Sequence, residues 1–268
     1  MHLKDVLFQY NRIMNYHLDP YMTKGAQIER TKPDLVSLSI TPGEAGIYRW
    51  AQMDDYHKVS RTKFPWQSPL KISLQARCSI QKHAGTWGFG IWNDPFSASL
   101  GLGGMARRLP ALPNCAWFFY ASPPNHLEIH DRYPANGFLA ATFQSPRIPT
   151  LFLLPGILGV PLLSLPFTAK QLRKWLRPII KQDAVKIPID LTQWHSYQID
   201  WSGQTVNFMI DETQVLSTNI TPKGRLGLVI WIDNQYAAFP PDGKIRFGTL
   251  SQETESTLEI KGLEIIQS

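Results

Sequence analysis

The sequence predicts an all-β sandwich, and three observations carry that expectation. Alternating apolar and polar runs recur from Leu35 to Ile265. The 21 Pro and 18 Gly punctuate those runs rather than clustering in one place. Charged residues make up only 18% of the chain against 43% hydrophobic, which suits many short strands joined by turns better than helices with solvated faces. A chain of 268 residues is long for one domain, yet large sandwiches reach this length as a single unit.

Residues 3–14 place Leu3, Val6, Leu7, Tyr10 and Met14 at helical spacing, which predicts a short amphipathic helix. Lys4, Gln9 and Asn11 interrupt what an export signal would need as an unbroken apolar core, so a cytoplasmic setting is expected. The runs LVSLSI, GIYRWAQM, LKISLQARCSI, TWGFGIWN, CAWFFYAS and GFLAATF then read as strands. The loop at 97–113 carries Gly101, Gly103 and Gly104 without the spacing or βαβ setting of a phosphate-binding turn.

Residues 148–169 are uncharged, but Pro149, Pro155, Pro161 and Pro166 forbid a regular spanning helix. Thr168 is expected to cap a helix with Leu172, Trp175, Leu176, Ile179 and Ile180 on one side. Lys170, Arg173, Lys174, Arg177 and Lys181 fall on the other, and Pro178 kinks or ends the helix. An apolar loop followed by a basic amphipathic helix has the form of an interfacial anchor inserted at 146–185. Phe152, Leu153, Leu154, Leu158, Leu162, Leu163 and Trp175 are the expected lipid contacts, with Arg173, Lys174 and Arg177 on phosphate, attaching the protein peripherally to the inner membrane face. Strands resume at Trp194–Trp201, Val206–Ile210, Leu226–Asp233, Lys244–Gly248 and Leu258–Ile265, with turn signals at Ser202-Gly203, Pro222-Lys223-Gly224 and Pro240-Pro241-Asp242-Gly243.

The stretch Gly88–Asp94 puts Phe89 and Ile91 on one strand face and Gly88, Gly90, Trp92 and Asp94 on the other. Gly227–Asp233 repeats the scheme, with Leu228, Ile230 and Ile232 inward and Gly227, Val229, Trp231 and Asp233 outward. Tyr48, Trp50, Gln52 and Asp54 do so more loosely. A groove with a bare glycine floor and a Trp–acid rim is therefore expected. Asp94, Asp233 and Asp54 are its candidate acids, because a carboxyl group among indoles is pushed toward its proton-donating form. Glu128 and His130 share a strand face and form a candidate acid–base pair. Trp50, Trp92, Asn93, Trp117, Tyr120, Trp231, Asn234 and Tyr236 are the candidate ligand contacts.

Other chemistry is thin. Cys78 and Cys115 have neither zinc nor redox spacing and read as small buried hydrophobes. The seven His show no metal motif, no Ser sits in a nucleophile elbow, and no cofactor is implied. The net charge of +6 has its densest cluster on the predicted helix beside the apolar loop, which favours lipid over nucleic acid.

The run Trp194-His195-Ser196-Tyr197-Gln198-Ile199-Asp200-Trp201, followed by Val206, Phe208, Ile210-Asp211 and Val215, resembles the C-terminal half of the laminarinase-like family 16 glycoside hydrolases and the concanavalin A-like lectins. The closing LEIKGLEI resembles their last strand. The resemblance implies a jelly-roll sandwich of two antiparallel sheets with the ligand on a concave face. A structural Ca²⁺, common in that fold, would have Asp55, Asp211 or Asp242 to draw on. Those hydrolases carry E-x-D-x-x-E on a concave strand, and this chain lacks it. Its nearest match, Glu128 to Tyr133, has His130 for the aspartate and Tyr133 for the second acid, while CAWFFYAS has no acid at all. The expected function is a membrane-associating jelly roll that binds an amphipathic or isoprenoid-like molecule or transforms it by acid–base chemistry, as a lyase, isomerase or cyclase would. Two alternatives are a non-catalytic carbohydrate-binding module and a divergent glycosidase using Glu128.

Overall fold

The computed structural model of the protein describes residues 18–32, 34–95, 108, 111–148 and 165–267. The helix expected at 3–14, the glycine loop up to 107 and the apolar contacts from Phe152 to Leu163 lie outside them. The strands run in order β1 Asp19–Met22, β2 Ala26–Lys32, β3 Leu35–Ile40, β4 Trp50–Asp54, β5 Leu70–Cys78, β6 Thr86–Trp92, β7 Cys115–Ala121 and β8 Gly137–Gln144. Helix α1, Pro166–Leu176, precedes β9 Lys181–Lys186, β10 His195–Trp201, β11 Val206–Ile210, β12 Thr213–Thr218, β13 Gly227–Asp233, β14 Gln235–Ala238, β15 Arg246–Thr249 and β16 Ser256–Gln267.

Two seven-stranded antiparallel sheets face each other as a jelly-roll sandwich. The front sheet has the order β1-β4-β13-β6-β7-β8-β9 and the back sheet β12-β11-β10-β5-β16-β3-β2. Period-two alternation explains why they pack. Phe89, Ile91, Phe118, Phe138, Leu228, Ile230 and Ile232 leave the front sheet on its inner face and meet Ile72, Leu74, Tyr197, Ile199, Phe208, Leu258 and Ile260 from the back sheet. Each such side chain contributes about 1.5–3 kcal/mol by leaving water. Cys78 and Cys115 are free and buried.

Residues 181–185, expected inside the insertion, belong to edge strand β9, which pairs with β8 from Leu139↔Lys186 to Gln144↔Lys181. Helix α1 starts two residues before the expected Thr168 cap, with Pro166 at its first position, where the missing N–H costs nothing. The Thr168 hydroxyl donates back to the Leu165 carbonyl at 2.7 Å.

A candidate binding site: an anchored indole platform

Strands β6 and β13 pair with Trp92 opposite Gly227 and Trp231 opposite Gly88. The two indoles start at diagonal positions and lie toward each other over the glycines between them. A Cβ at Gly88 would stand 2.7 Å from Cη2 of Trp231 and 2.6 Å from the Phe118 carbonyl oxygen. One at Gly90 would stand 2.6 Å from Cα of Trp117. The glycines are thus seats for aromatic side chains and close strand approach, which corrects the bare floor expected from the sequence. The Trp92 and Trp231 rings are parallel within 4° and 6.3 Å apart. Trp117 of β7 packs 5.8 Å from the first and 5.5 Å from the second. Trp117 is buried with Cys115 and Phe119 of its own strand and Leu139 and Phe143 of β8, whereas Trp92 and Trp231 remain partly exposed.

Each of the outer indoles is fixed by a polar relay. The Trp231 N–H donates to the Thr86 hydroxyl at 2.9 Å, which donates to Oδ1 of Asp233 at 2.8 Å. Oδ1 also accepts the amides of Thr86 and Gln235. Burial nonetheless outweighs these donors and pushes the Asp233 carboxyl up to about 7. The Trp92 N–H donates to the Tyr56 hydroxyl at 2.7 Å, and the Gln52 amide bridges that hydroxyl at 3.2 Å and Oδ2 of Asp54 at 2.7 Å. Asp54 is fully buried and accepts the amides of Tyr56 and His57 and Nδ1 of His57, whose ring stacks 3.5 Å from Tyr21. Tyr48 stacks on Trp50 at 6.4 Å beside this face.

Asp54 and Asp233 do not come together as a catalytic pair. In the β13–β4 register Asp54 stands opposite Val229, four residues from Asp233. That is roughly 13 Å at about 3.3 Å per residue, wider than the 5–5.5 Å or 6.5–9.5 Å spacings glycosidases use. Asp94 lies beyond the end of β6 at Trp92, takes φ 50° and pairs with Arg108.

Glu128 and His130 also separate. Oε1 of Glu128 takes Arg173 at 2.8 Å and His126 at 2.6 Å, while His130 bonds the Ile180 carbonyl. Arg173, expected on lipid phosphate, is buried at 2% exposure between Glu128 and Asp131, and its Nη1 also holds the Glu128 and Phe239 carbonyls. A buried guanidinium needs such partners, and this cluster docks α1 on the sandwich. Arg177 joins Asp131, whereas Lys174 and Trp175 point outward.

The expected contacts sort by face. Trp50, Trp92, Trp231 and Tyr236 are partly exposed, but Tyr120 belongs to the inner core, stacked 5.9 Å from Trp87. Asn93 clasps Leu112 and Asn114, and Asn234 is fully buried holding Arg49, Ile47 and Leu250. Gln52, Tyr56 and Thr86, which orient the indoles, were not among the sequence candidates; only the alternation of Gln52 with Asp54 hinted at them. Asp55 bonds Trp66 and the Leu228 amide and is pushed up to about 7 by burial; Asp211 bonds His195, and Asp242 the Lys244 amide. Among the described residues no three His, Cys, Asp or Glu converge as metal ligands.

No protein-family model matches the chain, and no curated protein matches it either. Among solved structures, a family 16 endo-glucanase from Bacteroides ovatus superposes with a TM-score of 0.49 at 11% identity, covering 96% of this chain and 98% of that one. The catalytic domain of a laminarinase from Thermotoga petrophila gives 0.44 at 10% identity, covering 91% and 81%. A sialidase gives 0.45 at 9%, where the match covers 94% of this chain but only 17% of the larger one.

Proposed function

We propose that this protein binds a glycan by stacking sugar rings on the Trp92–Trp231 platform, without cleaving it. The observation that carries the reading is the pair of parallel, partly exposed indoles whose N–H groups are already satisfied by buried relays. The partly exposed parts of these rings face a ligand, and a sugar ring presents its C–H face to such a surface while its hydroxyls reach polar neighbours. Hydrolysis needs two carboxyl groups at a set spacing, and Asp54, Asp233 and Glu128 are each committed to other partners. Electrophoresis through gels containing soluble β-glucans tests this. Retarded migration is expected for the wild type and for Trp194→Ala, and is lost in Trp92→Ala and Trp231→Ala. Release of reducing ends that disappears in Glu128→Gln would overturn the reading in favour of a glycosidase.

A second reading concerns lipid. Phe167 and Trp175 are 70% and 69% exposed on α1, beside the exposed Lys170 and Lys174, and this face fits an anionic membrane surface. No helix among the described residues is long and apolar enough to cross a membrane. Flotation with anionic vesicles, lost in Phe167→Ser with Trp175→Ser, is the expected result; flotation equal to that with neutral vesicles contradicts it.

A further inference from the structure

Past the end of β6, a cavity of about 480 Å³ is walled by Arg61, Arg147, Lys223 and Arg225 and, among the described residues, by no carboxylate. Asn93, the residue after Trp92, and Leu112, which packs on the same buried cluster as Trp92, also line it, so the cavity adjoins the platform.

Backbone carbonyls hold two of the guanidiniums. Arg61 donates to the carbonyls of Asn93 at 2.8 Å and Asp94 at 2.5 Å. Arg225 donates to the Phe64 carbonyl at 3.1 Å. The Arg147 guanidinium lies over Gly224, where a Cβ would come within 2.5 Å of its Nη2. Carbonyl oxygens orient the Arg225 guanidinium but leave its charge uncancelled. Among the described residues none of Arg147, Lys223 and Arg225 has an ion-pair partner. Burial and the nearby Arg108 both lower the hold of Arg61 on its proton, against the pull of Asp94. Like charges gathered on one wall repel, and a bound anion relieves that repulsion. Guanidinium forks suit the oxygens of sulfate, phosphate and carboxylate.

We propose that this cavity receives an oxyanion, a sulfate or phosphate ester or a sugar carboxylate, carried by the glycan that lies on Trp92 and Trp231. The glycan part rests on the platform reading; the anion part does not.

The test titrates the whole protein with a sulfated glucan, its desulfated form and inorganic sulfate. It compares the wild type, Trp231→Ala, and a double variant Arg147→Gln with Arg225→Gln, two exposed positions. The sulfated glucan is expected to bind at least tenfold more tightly than the desulfated one. The double variant is expected to erase that difference and leave the affinity for the desulfated form unchanged, while Trp231→Ala weakens both. Equal binding of the two glucans overturns the anion site and leaves the platform standing. Inorganic sulfate bound by the wild type and lost in the double variant, with neither glucan bound, supports the anion site and removes the platform. Retention on anionic vesicles that the double variant loses, without glucan binding, overturns the glycan as the carrier and assigns the oxyanion to a lipid headgroup.

Discussion

Trp231 and Trp92 lie parallel on the front sheet, but their indole N–H groups are held in different ways. On the Trp231 side the acid lies two residues further along the same strand, and a threonine from the neighbouring strand joins the two. On the Trp92 side the acid two residues on has left the strand for Arg108, and the relay comes from β4 and its following loop through Gln52, Asp54 and Tyr56. The same Trp-x-Asp spacing therefore has two structural meanings. What is shared is an indole fixed by a hydroxyl that is tied to a buried acid, and this makes the acids positioning groups for an aromatic surface.

The largest expected effect falls on the Trp92 side. Asp54→Ala leaves the Gln52 amide, two backbone amides and His57 without their acceptor, and is expected to cost about 3 kcal/mol or more in chemical denaturation. Gly88→Ala comes next, since the new methyl meets both the Trp231 ring and the Phe118 carbonyl. A loss of about 2 kcal/mol is expected, with displacement of the Trp231 indole visible as a shift of its N–H resonance. An unchanged resonance would show that the glycine is not the seat of the ring.

The Trp231 side also carries a pH response. The Asp233 carboxyl is raised by burial to about 7 in the fold from an unfolded value of 3.8. The folded state therefore holds the proton more tightly. The stabilisation is full below about 4 and is lost as pH rises through about 7. Asp55, also raised to about 7, acts with the same sign, whereas His83, lowered to about 4, withdraws stability as pH falls from 6.5. Denaturation between pH 5 and 8 should show Asp233→Asn with a shallower decline than the wild type, and an equal slope would contradict a buried, proton-holding Asp233. The smallest effect is expected from Thr86→Val, about 1 kcal/mol, because the hydroxyl's bonds to the Trp231 N–H and to Asp233 are lost while the Trp231 ring stays packed on Trp117 and Asp233 keeps the amides of residues 86 and 235.

Strand faces were legible in the sequence where both sides of a strand have a fixed environment. Phe89 and Ile91 against Gly88, Gly90 and Trp92 follow from a period of two, and so do Leu228, Ile230 and Ile232 against Val229 and Trp231. Within the two large sheets, the strands that sequence reading did not find, β1, β2, β9 and β12, are the four edges; β14, in a separate two-stranded sheet with β15, was missed as well. An edge strand pairs on one side only, so DPYM, AQIERTK, KQDAVK and TQVLST need no clean alternation. Helix α1 was legible as an amphipathic segment but not in orientation. Its buried side carries Arg173, and its exposed side carries Trp175, because Glu128 and Asp131 supply partners from distant sequence. The relays were illegible for the same reason: Thr86 meets Asp233 across 147 residues.

The measurement that bears most directly on the platform is a titration with a soluble β-glucan followed through the indole N–H resonances, assigned by Trp92→Phe and Trp231→Phe. The resonances of Trp92 and Trp231 are predicted to move together and saturate at one concentration, with that of Trp194 unmoved and the glucan intact at the end. Shifts confined to other tryptophans, or a glucan found cleaved, would contradict the account.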